Sequence, residues 1–138
     1  MPTLTECEHA IEALHDFFAA WYCADCDRDA FGTVERALAE DFERVAPDGS
    51  IDSRQSILDS VRAAYGTYDS GAFEIEIRNV EPVETSEDRA LVRYEEWQTA
   101  PSGTNGRVST ALFAPASGSG EQPVAWRYLQ ETWLESTD

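Results

Sequence analysis

The chain has 138 residues, a length that predicts one domain over residues 1–138 with one hydrophobic core. It carries 27 acidic side chains against 10 basic ones, all of them Arg, so no nucleic-acid partner is expected, because binding to a phosphate backbone uses clustered cations. The longest apolar run, Phe17 to Ala24, is too short to cross a bilayer and no signal-peptide layout precedes it, so we expect a cytoplasmic protein without a membrane partner.

Two helices are predicted in the first third of the chain. Thr5 and Glu8 fit a capping box, and from about Glu6 to Cys26 apolar side chains recur at helical spacing: Ile11, Leu14, Phe18, Trp21 and Tyr22. A run of charges at positions 25–29 interrupts this pattern. A second, shorter helix then runs to about Ala39, so the two helices form a hairpin.

A short β-hairpin and a third helix are predicted next. Asp41 to Val45 alternates like a strand, and Pro47-Asp48-Gly49 is typical of a turn because Pro presets φ and Gly accepts positive φ. Asp52 or Ser53 then caps a helix from Arg54 to Tyr65, which Gly66 terminates.

From Phe73 onward the hydrophobic period changes from that of a helix to two, which predicts strands. Four long strands follow: one from Phe73, then Arg89 to Thr99, Arg107 to Ala114 and Pro123 to Leu134. The loop predicted at positions 101–106 closes a hairpin, and the segment from Ala116 to Gln122, rich in Gly and Ser, is predicted to be the most flexible.

The three cysteines are best interpreted as buried or incidental thiols. Cys23-x-x-Cys26 falls at the end of the first predicted helix, where the helix dipole raises a thiol pKa, whereas redox pairs lie at helix starts. Cys7 is about 24 Å away along that helix, too far to share a zinc ion with them. No metal and no cofactor are expected, since the sequence contains no phosphate-binding Gly loop or nucleophile motif.

This order of elements resembles the nuclear transport factor two-like cone fold, also called SnoaL-like, over essentially the whole chain. The resemblance is most specific in three segments, which look like those of the small superfamily members of unknown function. They are Asp41-Phe42 through Pro47-Asp48-Gly49, Ser53-Arg54 and Trp126-Arg127-Tyr128-Leu129. The resemblance implies an α+β fold in which a curved antiparallel sheet of about four long strands, plus a short hairpin, wraps around three N-terminal helices. An unrelated α+β sandwich has the same elements and stays as the alternative.

In this superfamily the hollow between helices and sheet is the ligand or active site, and the outer face of the sheet often forms a dimer. Ala90-Leu91-Val92-Arg93 also looks like the strand of kinase association domains whose Arg points into the hollow. The resemblance therefore implies two inward-facing sets, Leu91, Arg93, Glu95 and Trp97 on one strand and Arg127, Leu129, Glu131 and Trp133 on another. By the same implication, a third set of side chains faces outward: Tyr94, Gln98, Trp126, Tyr128 and Gln130. A single bulge would reverse this assignment.

Candidate site residues follow from that assignment. Glu95 and Glu131 are the catalytic candidates, since a pocket carboxylate near arginine either transfers protons or joins an ion-pair network. Arginines that bind an anion and tryptophans that stack on a flat ligand make up the ligand-binding candidates, which are Trp21, Arg93, Trp97, Arg127, Trp133, Arg44 and Arg107. The superfamily's enzymes often pair Asp with His, but the two histidines, His9 and His15, both lie on the first predicted helix and are interpreted as surface or core-edge residues.

Three functions remain open. The first is a homodimeric protein that binds a small organic or anionic ligand in its hollow. The second is an isomerase, cyclase or dehydratase that uses a pocket carboxylate, and the third is an association module whose cone is filled, because this superfamily hosts all of these. The pKa of the inward glutamates distinguishes the first two, and the volume of the cavity distinguishes the third.

Acidity without any Lys is a further compositional signal. The formal net charge is −17. We interpret it as adaptation to a high-salt cytoplasm, where salt screens the repulsion of an acidic surface. A GC-rich genome, which favours Arg codons, is the alternative.

Overall fold

The computed structural model describes residues 2–116 and 123–134. Within them it contains three α-helices, α1 (Leu4–Tyr22), α2 (Gly32–Ala37) and α3 (Arg54–Ala63), and a short 3₁₀ helix (Arg28–Phe31) that leads into α2. The strands are β1 (Leu38–Val45), β2 (Ile51–Ser53), β3 (Glu74–Thr85), β4 (Ala90–Ala100), β5 (Gly103–Pro115) and β6 (Val124–Trp133). No helix in this part of the chain is long and apolar enough to cross a membrane.

The strands form one curved, unclosed sheet in the order β2-β1-β6-β5-β4-β3. The long strands β3 to β6 pair antiparallel with one another. The antiparallel β1–β2 hairpin extends the sheet through a parallel pairing of β1 with β6. The predicted α+β fold, with four long antiparallel strands, a short hairpin and three helices, is confirmed. The parallel pairing makes the sheet mixed, which the order of the elements does not reveal.

The capping box that starts α1 lies two residues earlier than predicted. Thr3, not Thr5, is the N-cap: its hydroxyl accepts from the Glu6 amide, and the Glu6 carboxylate accepts from the Thr3 amide. The helix ends at Tyr22 rather than Cys26, because Ala24 takes a positive φ of 53° and the Gly66 amide donates to the Trp21 carbonyl. α1 therefore stops where the segment after α3 crosses it.

Strand pairing shortens two of the predicted elements. The second helix ends at Ala37 instead of Ala39, because Leu38 already pairs with Trp126 of β6. The loop predicted over positions 101–106 is only a two-residue turn, since Gly103 opposes Ala100 and pairing continues from there. Of the stretch predicted to be flexible, Ala116 donates its amide to the Pro123 carbonyl, and positions 117–122 lie outside the described residues.

The inner face of the sheet is the one that packs under α1. Val92, Tyr94 and Glu96 of β4 are buried there, so the prediction that Leu91, Arg93, Glu95 and Trp97 face the hollow is wrong. The physical reason is burial: Val92 and Tyr94 are fully buried against the helices, and this fixes the parity of the whole strand.

β6 contains a bulge that changes parity in mid-strand. Phe113 opposes Trp126 and Leu112 opposes Tyr128, which leaves Arg127 as the extra residue. Trp126 before the bulge and Leu129 and Glu131 after it therefore face the same side. The predictions that Trp126 faces outward and Arg127 inward are wrong, whereas Leu129 and Glu131 do lie on the inner face.

Candidate functional site

The hollow between the helices and the inner face is a cavity of about 420 Å³. Its roof comes from α1 and α3 and from the segment between α3 and β3, and its floor comes from β1, β3, β4, β5 and β6. The lining side chains are mostly apolar or aromatic; the polar and charged ones are His15, Arg44, Ser60, Thr67, Gln98, Arg107, Glu96 and Glu131. The cone therefore contains an unfilled cavity, whereas an association module of the predicted kind would have its cone filled by side chains.

Aromatic rings form one wall of the hollow. Phe18 stacks on Tyr22 with centroids 5.8 Å apart, and Tyr68 stacks on Phe73 at 4.8 Å. Phe18 and Tyr22 are one turn apart on α1, which is why the helical stripe presents both to the cavity. The wall therefore offers flat apolar surface to an organic ligand, opposite the charged floor.

A buried ion pair joins α1 to β4 at the edge of the hollow. His15 Nδ1 donates to the Ile11 carbonyl at 2.7 Å, and Nε2 lies 3.0 Å from Glu96 Oε1. Because Nδ1 carries a proton, a second proton must lie between Nε2 and the carboxylate, or two lone pairs would face each other. His15 and Glu96 thus share a proton in a site where both side chains are only 6% exposed.

The charges of this pair are supported by the pKa directions. Burial lowers the pKa of His15, but the charge and hydrogen bond of Glu96 outweigh it and raise that pKa above 6.5. Burial raises the pKa of Glu96, but the charge and hydrogen bond of His15, with Arg107 and Gln98, lower it to about 2. Both directions favour the charged form of the pair, an imidazolium beside a carboxylate.

Glu131 lies loosely between two arginines. Its Oε2 is 3.4 Å from Arg107 Nη1 and its Oε1 is 3.7 Å from Arg44 Nη1, both longer than the usual charge-assisted hydrogen bond. Its side chain is 4% exposed, and Oε1 has no hydrogen-bond partner within the described residues. Burial, assisted by the charge of Glu96, raises the pKa of Glu131 although Arg107 and Arg44 lower it.

Arg107 has unused hydrogen-bonding capacity. A guanidinium carries five N–H donors. In residues 2–116 and 123–134, Arg107 makes one side-chain hydrogen bond, the long contact to Glu131, and its Nε is buried without a partner. The ring of Trp133 lies 4.6 Å from its guanidinium carbon and holds the group in place. Arg44 beside it donates to Asp52 at 2.7 Å.

The structure brings together three of the predicted site residues. Arg44, Arg107 and Glu131 line the hollow, and Trp133 touches Arg107 from an exposed position, 51% accessible. Trp21 is in the core instead, where its Nε1 donates to the Val61 carbonyl at 2.6 Å and its ring packs on Tyr65.

The remaining predicted residues lie outside the hollow. Arg93 pairs with Glu81 at 2.8 Å, and Trp97 donates to Glu95 at 2.9 Å, all on the outer face. Hydrogen bonds from Trp97 and Asn79 lower the pKa of Glu95, which does not fit a base. Arg127, the bulge residue, pairs with Asp41 at 3.2 Å.

Sequence reasoning missed His15, Glu96 and Trp126. The interpretation of His15 as a surface or core-edge residue is wrong, because its side chain is 5% exposed and forms a hydrogen bond with Glu96. No sequence signal singles out Glu96, because both alternating sets of β4 contain an aliphatic residue, an aromatic residue and a glutamate. The Trp126 Nε1 lines the same floor, buried and unpartnered within the described residues.

The thiols do not form a redox or metal site in the described part of the chain. Cys7, Cys23 and Cys26 are all free, and no cluster of three or more metal-binding side chains occurs there. Burial raises the pKa of Cys7 to about 11. It is a core thiol, unsuited to nucleophilic chemistry.

The family model described as sucrose-6-phosphate phosphohydrolase C-terminal matches residues 8–135. The chain belongs to this family. No curated protein sequence matches this family member.

Several solved structures have a fold similar to that of this chain. An NTF-2-like protein of unknown function from Pseudomonas aeruginosa is 27% identical, with a TM-score of 0.84 over 94% of this chain and 99% of that one. An NTF2-like protein of unknown function in nutrient uptake from Rhodospirillum rubrum is 16% identical, with a TM-score of 0.66 over 97% and 100%. The CaMKII hub of S. rosetta is 9% identical, with a TM-score of 0.73 over 97% and 100%. The predicted resemblance to the NTF2-like superfamily is confirmed.

Proposed function

We propose that the chain binds a small organic acid in its hollow, with the acid group on Arg107 and Arg44. The observation that carries this proposal is the unused donor capacity of Arg107, whose side chain is only 12% exposed. A buried guanidinium that lacks acceptors has a free-energy cost, and an anionic ligand offsets it by supplying them. Bidentate contact with a carboxylate suits the planar geometry of the group.

The body of the ligand is proposed to be apolar and flat. Phe18, Tyr22, Tyr68 and Phe73 face the floor across the cavity, and a ring between them and Leu129 would bury its faces on apolar surface. The volume of about 420 Å³ is within the usual range of ligand sites, which begins at about 300 Å³.

Binding of benzoate, measured by titration calorimetry, tests the proposal. Arg107→Gln removes a charged hydrogen bond worth about 1.5 to 3 kcal/mol, so the dissociation constant is expected to rise about 10-fold to 150-fold. Arg93→Gln is the matched control, because Arg93 is on the outer face and pairs with Glu81. Benzyl alcohol, which keeps the ring but lacks the charge, is expected to bind weakly to all three proteins. Equal benzoate affinity in all three would refute the assignment to Arg107.

A sugar phosphate is the ligand class that the family's name suggests. The phosphohydrolase in that name acts on sucrose 6-phosphate, a phosphate monoester with many hydroxyl groups. The hollow supports it less well than an apolar acid, because the ring wall offers few partners for hydroxyl groups. A phosphate monoester that bound more tightly than benzoate would reverse this preference.

An enzyme of the isomerase, cyclase or dehydratase type is the second candidate. The observation that favours it is Glu131, whose pKa burial raises toward the range of a general base, beside an arginine that can hold developing negative charge. Exchange of carbon-bound protons of ketones and keto acids in D₂O, followed by NMR, tests it. Catalysis predicts exchange that Glu131→Gln abolishes, whereas a pure binding protein leaves the substrate protons unchanged.

Self-association is proposed through the outer face of the sheet. The sequence prediction of a dimer relied on outward-facing aromatic residues. Of these, Tyr94 and Trp126 are in the core, so Tyr128 is the one that still faces outward. Support comes from the outer face of the long strands, where Leu91, Val108 and Leu112 are half-buried, and from the name of one structural relative, a hub. Sedimentation equilibrium decides between the 15.4 kDa chain and its dimer.

Adaptation to high salt is also proposed, on the support of 27 acidic residues and the absence of Lys. Screening of that surface would raise stability as salt rises. The cytoplasmic location expected from the sequence stays a prediction.

A further inference from the structure

Glu131 and an incoming acid would compete for the same two arginines. Both carboxylate oxygens of Glu131 point at guanidinium groups, one toward Arg107 and one toward Arg44. A ligand carboxylate that binds those groups must either displace Glu131 or share them with it. Because the side chains of Glu131 and Arg107 are only 4% and 12% exposed, water screens little of the repulsion between two carboxylates on the same cations.

The charges around Glu131 balance without any ligand. Those facing it are His15 from α1, Arg44 from β1, Glu96 from β4 and Arg107 from β5, with Asp52 of β2 behind Arg44. The side chains that α3 and β3 contribute to the lining are not ionisable. Tyr22 and Tyr94 are neutral, because burial raises the pKa of Tyr22 to about 12 and that of Tyr94 well above 10. With Glu131 ionised, His15, Arg44 and Arg107 offset Glu96, Glu131 and Asp52, and the sum is zero.

One proton changes that sum. With Glu131 neutral the same groups carry one net positive charge, which a monoanion cancels. With Glu131 ionised, the bound monoanion leaves one net negative charge in a low-dielectric site, and burying an uncompensated charge is costly. The oxygen available for the proton is Glu131 Oε1, which has no hydrogen-bond partner within the described residues.

We propose that the hollow takes up its organic acid together with one proton from solvent, which binds Glu131 and releases Arg44 and Arg107 to the ligand carboxylate. This inference rests on the proposed function of the site and deepens it. It specifies a monoanion, because a dianionic phosphate monoester would still leave a net negative charge. Burial raises the pKa of Glu131, which favours the protonated carboxyl group that this proposal requires.

Calorimetric titration with benzoate in two buffers of different ionisation enthalpy, from about pH 6 to about pH 8.5, measures the proton directly. The wild-type chain is expected to take up close to one proton per benzoate above the pKa of Glu131. Its affinity is then expected to fall about tenfold per pH unit. Phenyl phosphate, of similar shape but dianionic at the upper end of this range, is expected to bind at least about tenfold more weakly there.

Glu131→Gln provides the decisive comparison, because its amide has nearly the shape of the protonated carboxyl group. The variant is expected to bind benzoate at least as tightly as the wild type at pH 8, with no proton uptake and no dependence on pH. Glu95→Gln, which removes an outer-face carboxylate, is the control and keeps the wild-type proton uptake.

Three outcomes overturn the inference. If the wild type binds benzoate without a proton, the proposed function stands and the proton linkage is wrong. If Glu131→Gln still takes up a proton, the proton goes elsewhere, for example to the pair of His15 and Glu96. If neither protein binds benzoate or phenyl phosphate, the proposed function fails and the linkage fails with it. The wild-type titration needs no variant, so a folding defect in Glu131→Gln does not prevent the test.

Discussion

Substitution of Glu96 by Gln is expected to discharge His15 and to destabilise the fold. In the native protein the carboxylate keeps the imidazole protonated against the effect of burial. An amide keeps the shape of the side chain and can still donate to a neutral Nε2, but it cannot offset a positive charge. Burial is then unopposed by Glu96, so the pKa of His15 is expected to fall below 6.5.

The size of the effect follows from the pKa of Glu96, which the fold lowers from 4.5 to about 2. At about 1.4 kcal/mol per pKa unit, this difference corresponds to about 3 kcal/mol of stability. The hydrogen bond that the amide can still make offsets part of it, so a loss of about 2 to 3 kcal/mol is expected at neutral pH.

The sign of the pH dependence is fixed by the two shifts. A carboxylate whose native pKa is depressed stabilises the fold above its unfolded value of 4.5, and this stability is lost as the pH falls toward about 2. An imidazole whose native pKa is raised stabilises the fold below 6.5, and this is lost as the pH rises through the native value. The difference in the free energy of unfolding between wild type and Glu96→Gln is therefore expected to become smaller at both low pH and high pH.

Two measurements check this prediction. NMR titration resolves His15 from exposed His9, the one other imidazole in the chain. Urea unfolding at several pH values gives the free energy of unfolding, with Glu95→Gln as the control because Glu95 is on the outer face. A wild-type His15 pKa at or below 6.5, or equal stability of wild type and Glu96→Gln at pH 6, would refute the ion pair.

Three further predictions concern packing and charge. Gly106→Ala puts a Cβ 2.6 Å from the ring of Trp97, so we expect a loss of about 1 to 3 kcal/mol in urea unfolding, and a variant as stable as wild type would contradict this contact. Trp21→Phe removes the donor to the Val61 carbonyl and leaves a small cavity, with an expected loss of about 2 kcal/mol in the same assay; a loss below about 0.5 kcal/mol would contradict that bond. Raising KCl from about 0.1 M to about 2 M is expected to raise the thermal midpoint, since the net charge of −17 is then screened, and a falling midpoint would argue against salt adaptation.

The order of the elements could be predicted because each periodic segment is long. The apolar stripe of α1 and the alternation of β3 to β6 each extend over several turns or pairs, and local pattern decides such segments. Leu38 is different: it continues the helical pattern of Val34, but pairing with Trp126 draws it into β1. That pairing is non-local, and no local pattern contains it.

The faces of the strands could not be predicted as well. On β4 both alternating sets contain an aromatic residue and a glutamate, so the pattern did not distinguish Glu95 from Glu96. The buried positions of Val92 and Tyr94 decide it. On β6 the bulge at Arg127 reverses the parity within one strand, and nothing in the residues around it signals an extra residue. Arg44, Arg107 and Glu131 meet in the hollow only because three strands are adjacent.

The most direct test of the organic-acid site is a crystal structure of the chain with 4-bromobenzoate, whose bromine marks the orientation of the ring. We expect the carboxylate to lie within hydrogen-bond distance of Arg107 and Arg44 and the ring to lie against Tyr22 and Phe18. Glu131 is then expected no longer to bridge the two arginines. A hollow in which Glu131 still bridges both arginines, with the bromobenzoate absent or its carboxylate turned to solvent, would contradict it.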